Sequence, residues 1–262
     1  MTDHEGRFAN GRLYYRAWDH ASPTAHAIIA HGLVEHSGRY EHVAARLQQA
    51  GVAVWALDHR GHGQSEGDRA DIGSIQMTVD DLDLFVDLVK EQSGDLPIFL
   101  IGHSLGGLIS TAYAEAHQER LAGLVLSGPV LVVPPEIIAL ADLDEIPDIG
   151  LAEAISRDPA VIAAYKADPL VFNGVPPHSL FRSLEAAAGV CEHLSDLTLP
   201  ILVMHGSNDL LAPPQSLREV AYRVASTDLT ARMWPGLYHE IFNEPEQGEV
   251  LDVVAEWIQE RS

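Results

Sequence analysis

Cysteine and lysine are almost missing from this chain of 262 residues, which holds one cysteine, Cys191, and only Lys90 and Lys166 as lysines. A single cysteine excludes an internal disulfide. A nucleophilic Cys191 would need a basic partner, and AAAGVCEHLSDL offers only His193 nearby, so the expected role is that of a small core residue. Positive charge is scarce as well: 16 Lys and Arg stand against 38 Asp and Glu, a formal net charge of -22. A field of that sign repels nucleic acid and anionic membrane surfaces, so nucleic-acid binding is excluded. The acidity itself fits either a salty habitat or an ordinary soluble surface. No segment has the apolar length of a membrane span, and MTDHEGRFANGRLYY lacks the charged-then-apolar order of a secretory signal. A cytoplasmic protein is the expectation. Internal repeats are absent.

What the chain does have is apolar content, 47% of residues, enough for a sizeable core. Short apolar runs at 25–31, 52–58, 97–102, 121–127, 200–206 and 229–235 read as strands, and most are near-continuous in Val, Ile, Leu and Ala. Such runs mark strands covered on both faces, as in a parallel sheet. Between them lie helical patterns near 39–50, 78–92, 105–118, 214–225 and 245–260. In the second, Leu82, Phe85, Val86 and Val89 share one helical face. The alternation predicts an α/β fold with a mostly parallel, doubly wound sheet. It breaks over 129–195, a stretch with prolines at 129, 134, 135, 147, 159, 169, 176 and 177. One helix there is well punctuated: Asp158 as N-cap, Pro159 at the first position, AVIAAYKA, and a stop before Pro169. The expected organisation is a core of 1–128 and 196–262 with a cap inserted at 129–195 over the ligand-binding end.

The most specific motif is Gly102-His103-Ser104-Leu105-Gly106, a G-x-S-x-G pattern directly behind the strand PIFLI. Glycines two positions either side of the serine suit a sharp strand-to-helix turn that lifts the hydroxyl above the sheet edge. A serine hydroxyl is a weak nucleophile at neutral pH and needs a base, which in turn needs an orienting acid. In this class of sheet the order is Ser, acid, His. Of the 14 histidines only His117, His178, His193, His205 and His239 follow Ser104. PILVMHGSND puts Asp209 just past a late strand, and His239 in GLYHEIFNE is the only histidine beyond it. Ser104, Asp209 and His239 are therefore the candidate catalytic triad, although Asp209 taken alone fits a turn-forming role equally well.

Acyl transfer also requires two donors for the developing oxyanion. The backbone N–H of Leu105, after the nucleophile, is one; the other should come from the loop after an earlier strand. HGLVEHSGRY (31–40) occupies that loop, and behind Gly32 the N–H of Leu33 is the candidate. His31, Glu35 and His36 come close to an H-x-x-E-H zinc pattern, but carry one residue too many between the histidines, and Gly32 argues against the required helix. No metal site is expected. In DHRGHGQSEG (58–67) the glycines at 61, 63 and 67 miss the G-x-G-x-x-G spacing, so a hydrogen-bonded turn beside the site is expected rather than a nucleotide loop.

HGLVEHSGRY, DHRGHGQSEG, GHSLGG, HGSNDLLAP and GLYHEIFNEPE together resemble the monoacylglycerol lipase branch of the α/β-hydrolase superfamily. The likeness spans the chain from first strand to last helix and is weakest in the front half of the cap. It implies an α/β-hydrolase fold and a serine esterase that cleaves single-chain glycerol esters, expected to be of short to medium acyl length, without a cofactor. It maps the triad and the oxyanion donors onto the residues already named. It further implies that Glu35, Arg39 and Tyr165 build the subsite for the alcohol; a buried ion pair fixing the loop, and simple packing for Tyr165, are the competing roles. Phe242 stands where some members carry a polar histidine. The cap stretch LVVPPEIIALADLDEIPDIG is shorter and more acidic than a membrane-docking cap, so at most transient membrane contact is expected, through Val132, Val133, Ile137 and Ile138. A buried cap core is the competing use of those four. The implied partner is a small lipid or ester; oligomeric state has no sequence signature. A broader carboxylesterase, a lysophospholipase, a phthalate-monoester hydrolase and a slow-turnover ligand receptor share the same motifs.

Overall fold

The computed structural model describes residues 3–146 and 150–262; Pro147, one of the prolines in the 129–195 stretch, lies outside the described residues. The chain opens with β1 (His4–Phe8), β2 (Leu13–Trp18), β3 (Ala25–Ala30), α1 (Glu41–Gln49), β4 (Val52–Leu57), α2 (Ile75–Ser93), β5 (Ile98–His103), α3 (Leu105–His117) and β6 (Gly123–Ser127). Helical pieces follow: α4 (Pro135–Ile138), α5 (Leu151–Ala154), α6 (Pro159–Ala167), α7 (His178–Leu184) and α8 (Ala186–His193). The chain then completes β7 (Ile201–Gly206), α9 (Gln215–Arg223), β8 (Leu229–Trp234) and α10 (Gln247–Gln259).

The strands form one sheet in the order β1-β2-β4-β3-β5-β6-β7-β8. From β4 to β8 every pairing is parallel, whereas β1 and β2 pair antiparallel with each other and β2 antiparallel with β4. The six expected strands are present, and this is an α/β-hydrolase fold. Strands β1 and β2 lie outside the sequence expectation. HEGRF and LYYRAW carry charged residues on an edge that is partly solvated, so they lack the continuous aliphatic runs of the central strands. Helix α2 starts at Ile75, earlier than its apolar face suggested, because Ser74 caps it by accepting from the Met77 N–H at 3.2 Å.

Side chains alternate across the sheet and create two cores. Ile28 and Ala30 of β3, with Leu100 of β5, pack beneath α2 and α3, where Leu82, Phe85, Val86 and Val89 are fully buried. Ala27 and Ile29, with Phe99 and Ile101, pack on the other face against α1 and α10. Because the central strands run parallel, their C-terminal ends share one edge, and the loops after β3, β5, β6, β7 and β8 meet there. Between β6 and β7 the described residues of 129–195 form helices and turns and no strand. Asp158 accepts from the Ala160 N–H at 2.8 Å and Pro159 opens α6, as its sequence punctuation predicts.

Leu100 sits at 0% exposure in the middle of this arrangement. Leu100→Ala should lower unfolding stability by about 3 kcal/mol through lost burial and a residual cavity, read as a shifted urea midpoint with an unchanged slope.

Candidate active site

Ser104 lies between β5 and α3 with φ 53° and ψ −119°, a conformation that a side-chain-bearing residue adopts only under compulsion. The compulsion comes from close backbone contact. A β-carbon on Gly106 would sit 2.1 Å from the Ala30 carbonyl oxygen, and one on Gly102 would sit 2.5 Å from that of Gly106. The Ser104 N–H donates to Ser127 O at 3.0 Å and its carbonyl accepts from Val130 N at 3.1 Å, which ties the turn to β6.

The structure brings the three candidate triad residues together. The Ser104 hydroxyl donates to His239 Nε2 at 2.8 Å, and His239 Nδ1–H donates to Asp209 Oδ2 at 2.7 Å. Asp209 Oδ1 also accepts from the N–H groups of Leu211 and Ala212, both at 2.9 Å. The turn-forming role and the histidine-holding role thus fall on different oxygens of one carboxylate. His205, unassigned from sequence, faces Asp209 Oδ2 with its Nε2 at 3.0 Å and shares that N–H with Ala212 O at 2.9 Å. Burial works against charge on Asp209, but the His239 imidazole and the hydrogen bonds from His205 and His239 hold its carboxyl well below the usual range. Burial also opposes protonation of His239; the charge and hydrogen bond of Asp209, with Glu240 and Glu35 behind, raise it above the ordinary histidine value. Neighbouring His103 goes the other way. Its ring lies 4.8 Å from that of His239, its Nδ1–H donates to Ser127 O at 3.0 Å, and burial pushes it down to about 4.

Leu105 opens α3, where the first N–H groups of a helix have no partner within it. The HGLVEHSGRY loop meets the same point from the other side: a β-carbon on Gly32 would lie 3.1 Å from the Ser104 Cβ. Leu33 and Leu105 both line the cleft that holds Ser104 and His239. Val34 is held at φ 57°, a strain of roughly 1–2 kcal/mol for an L-residue, and its carbonyl accepts from Phe172 N at 2.9 Å. That bond ties the loop after β3 to the helical stretch above it.

Glu35 answers the sequence question in part. Its Oε1 accepts from Gly32 N at 2.6 Å and Tyr40 OH at 2.8 Å, and its Oε2 accepts from Arg39 at 2.7 Å, so it holds the loop. It also lines the cleft. Arg39 is not among the cleft-lining residues; its guanidinium lies 4.8 Å from the Tyr165 ring centre and forks onto Glu240, both bonds 2.7 Å. Tyr165 lines the cleft. Glu240, unassigned from sequence, is 4% exposed and lines the cleft beside His239. Its position directly after the histidine was the only signal, since loop residues have no periodicity to say which way they point. Phe242 is turned into the core at 2% exposure. Glu244, also fully buried, accepts from Tyr238 N at 2.7 Å and Arg157 Nε at 2.9 Å, fixing the histidine loop to the start of α6.

The cleft encloses about 970 Å³, part of it open to solvent. Val130, Val132, Val133, Ile137, Phe181 and Leu184 line it, and Glu35, Tyr165 and Glu240 add polar groups. Ile138 sits in an adjoining depression. The ring nitrogens of the near-zinc spacing are engaged elsewhere, in keeping with the rejection of that pattern on spacing: His31 donates to Gly32 O at 2.7 Å and accepts from His59 N at 3.0 Å, and His36 pairs with Asp168 at 2.9 Å. In DHRGHGQSEG, Asp58 accepts from Ser37 N at 2.7 Å and Gln64 N at 2.8 Å, so the loop is a hydrogen-bonded turn braced against 31–40. Cys191 is buried, its thiol pushed up to about 11 by that burial, and it donates to Leu131 O.

Comparison with known proteins shows the family. A family model described as Hydrolase_4, serine aminopeptidase S33, matches residues 21–246. A monoacylglycerol lipase of Mycolicibacterium smegmatis is 42% identical, across 94% of this chain and 92% of its own. The chain belongs to the monoacylglycerol lipase family. A monoglyceride lipase of Rattus norvegicus is 33% identical across 95% of this chain and 87% of its own. The crystal structure of the Paleococcus ferrophilus monoacylglycerol lipase superposes with a TM-score of 0.84 at 30% identity, covering 95% of this chain and 99% of that one. With His239 as the proposed base for Ser104, the acid limb of kcat/KM should follow its protonation. That limb should lie above pH 6.5, the ordinary histidine value, because the surrounding carboxylates favour the imidazolium. The same raised value means that protonated His239 stabilises the fold at low pH, a contribution lost as pH rises through it. Asp209→Asn should lower kcat by about 10⁴ and move the limb to lower pH; a pH–rate profile with a chromogenic ester checks both.

Proposed function

We infer that the protein hydrolyses monoacylglycerols to glycerol and a free fatty acid through an acyl-enzyme. The observation that carries the reading is the unbroken hydrogen-bond chain from Ser104 through His239 to Asp209, set at the floor of a cleft with an apolar wall and a polar group of Glu35, Tyr165 and Glu240. Ser104 Oγ attacks the ester carbonyl while His239 Nε2 takes its proton, and Asp209 stabilises the imidazolium. The oxyanion accepts from the N–H groups of Leu33 and Leu105. His239 then gives its proton to the departing glycerol oxygen, and water activated by the same nitrogen attacks the acyl-enzyme, releasing the fatty acid and restoring Ser104. No cofactor enters this sequence.

Residues 1–128 and 196–262 serve as the core, and 129–195 as a cap whose Val132, Val133, Ile137, Phe181 and Leu184 receive the acyl chain. A cleft that pairs an apolar wall with a few polar groups suits one acyl chain and a small alcohol. Glu35 and Tyr165 face the alcohol, with Arg39 holding both from behind. Among the described residues no helix is long and apolar enough to cross a membrane. We place the enzyme in the cytoplasm, in transient contact with lipid surfaces at most.

Ser104→Ala should reduce hydrolysis by at least about 10⁴-fold while leaving the melting temperature near that of the parent. A panel of mono-, di- and triacylglycerols and simple alkyl esters of one acyl length should show monoacylglycerols turned over fastest. Equal rates on alkyl esters would reduce the protein to a general esterase.

A further inference from the structure

Two carboxylates and one guanidinium meet at the polar group of the cleft. Arg39 donates to Glu35 and, through two bonds, to Glu240, so a single positive charge is shared between two acids. All three are withdrawn from bulk water: Glu35 is 2% and Glu240 4% exposed, and the Arg39 side chain is 11% exposed. Both oxygens of each acid accept at least one hydrogen bond, Glu240 Oε2 taking a further one from Asn243 Nδ2 at 2.8 Å. The cleft is lined by the two acids but not by the arginine. The other rings at hand supply no lasting positive charge, since burial keeps His103 neutral and the charge His239 gains is matched by Asp209. The balance of Glu35, Glu240 and Arg39 is one uncompensated negative charge at the cleft wall, in a setting where salt screens weakly.

We propose that Glu240 is a specificity-determining residue that, with Glu35, selects by charge: the cleft takes esters of uncharged hydroxylated alcohols, rejects alcohols carrying phosphate or carboxylate, and expels the fatty-acid carboxylate once it forms. This rests on the ester-hydrolase reading above and goes beyond it in naming the group that discriminates. Glu35 alone would be neutralised by Arg39; Glu240 tips the balance. The released acid loses its proton at neutral pH and becomes an anion beside Ser104, so the same field that excludes anionic alcohols weakens product binding. Acyl length is left to the apolar wall.

The test compares monodecanoylglycerol, decanoyl glycerol phosphate and nitrophenyl decanoate, all with one acyl chain, and uses free decanoate as an inhibitor of nitrophenyl ester hydrolysis. The parent enzyme should cleave the phosphate ester at least about tenfold less efficiently than the neutral glycerol ester. Glu240→Gln should narrow that gap about tenfold and tighten inhibition by decanoate by a similar factor. Glu240→Asp, which keeps the charge, should stay near the parent on both measures, a distinction that a purely structural role would not produce. A parent enzyme that cleaves phosphate and neutral esters equally overturns the proposal, and needs no variant to be folded. A folded Glu240→Gln enzyme with parental discrimination and inhibition overturns it too, as does a Glu240→Asp enzyme that behaves like Glu240→Gln. Loss of nitrophenyl ester hydrolysis by the parent would instead refute the ester-hydrolase reading itself, and equal rates on the nitrophenyl and glycerol esters would refute only the preference for glycerol.

Discussion

At Ser104 the chain leaves β5 at φ 53° and enters α3 with no room for a β-carbon on Gly102 or Gly106. A strained serine persists only when its surroundings over-determine it. Here they do: the Ala30 carbonyl on the neighbouring strand blocks one side, the Ser127 and Val130 bonds hold the other, and α3 begins immediately behind. Every other component of the site is placed relative to this turn. At Gly32 the loop after β3 passes tightly against the Glu35, His103 and Ser104 side chains, and the loops after β7 and β8 bring Asp209 and His239 to the same edge.

Loops cannot hold such positions by burial of apolar surface alone, and the molecule fixes them with buried acids. Asp58 joins 37 to 64, Glu35 closes the turn at Gly32, and Glu244 secures 238 to 157. Each carboxylate gives at least one oxygen to a backbone N–H of a loop that has no ladder to satisfy it, and Glu35 and Glu244 pair with Arg39 and Arg157 as well, which is why buried acids here cost little of what isolated ones would. This explains a chain that is strongly acidic yet keeps several of its acids away from the surface. The stretch above the site is tied in by a backbone bond from Phe172 to Val34, by Asp168 to His36 and by Arg157 to the buried Glu244.

The parallel strands were legible because their aliphatic runs are covered on both faces, and a buried run looks the same in sequence as in structure. The edge pair β1 and β2 was not, since HEGRF and LYYRAW mix charge with aromatic residues on a half-solvated rim. Ser104, Asp209 and His239 could be picked out by chain order and strand position, and the structure brings them within hydrogen-bond distance. His205 and Glu240 escaped notice for a different reason. Their parts depend on side-chain direction, for His205 onto Asp209 four residues on and for Glu240 under the fork of Arg39 far away in the chain. Sequence spacing carries no record of that. The histidine-rich opening of HGLVEHSGRY pointed towards metal chemistry by composition, while its ring nitrogens in fact serve neighbouring backbone and Asp168.

The central claim is that the strained turn and the His239–Asp209 pair together make one serine of this chain a nucleophile. The most direct measurement is reaction with an alkyl fluorophosphonate, which reports nucleophilicity without reference to any natural substrate, followed by intact-mass and peptide mass spectrometry. The account predicts one phosphonyl group per chain, carried on the Ser104 hydroxyl, with the rate of labelling sharply reduced when Asp209 is replaced by Asn. A label on another residue, or an unlabelled chain that still hydrolyses esters, would contradict it.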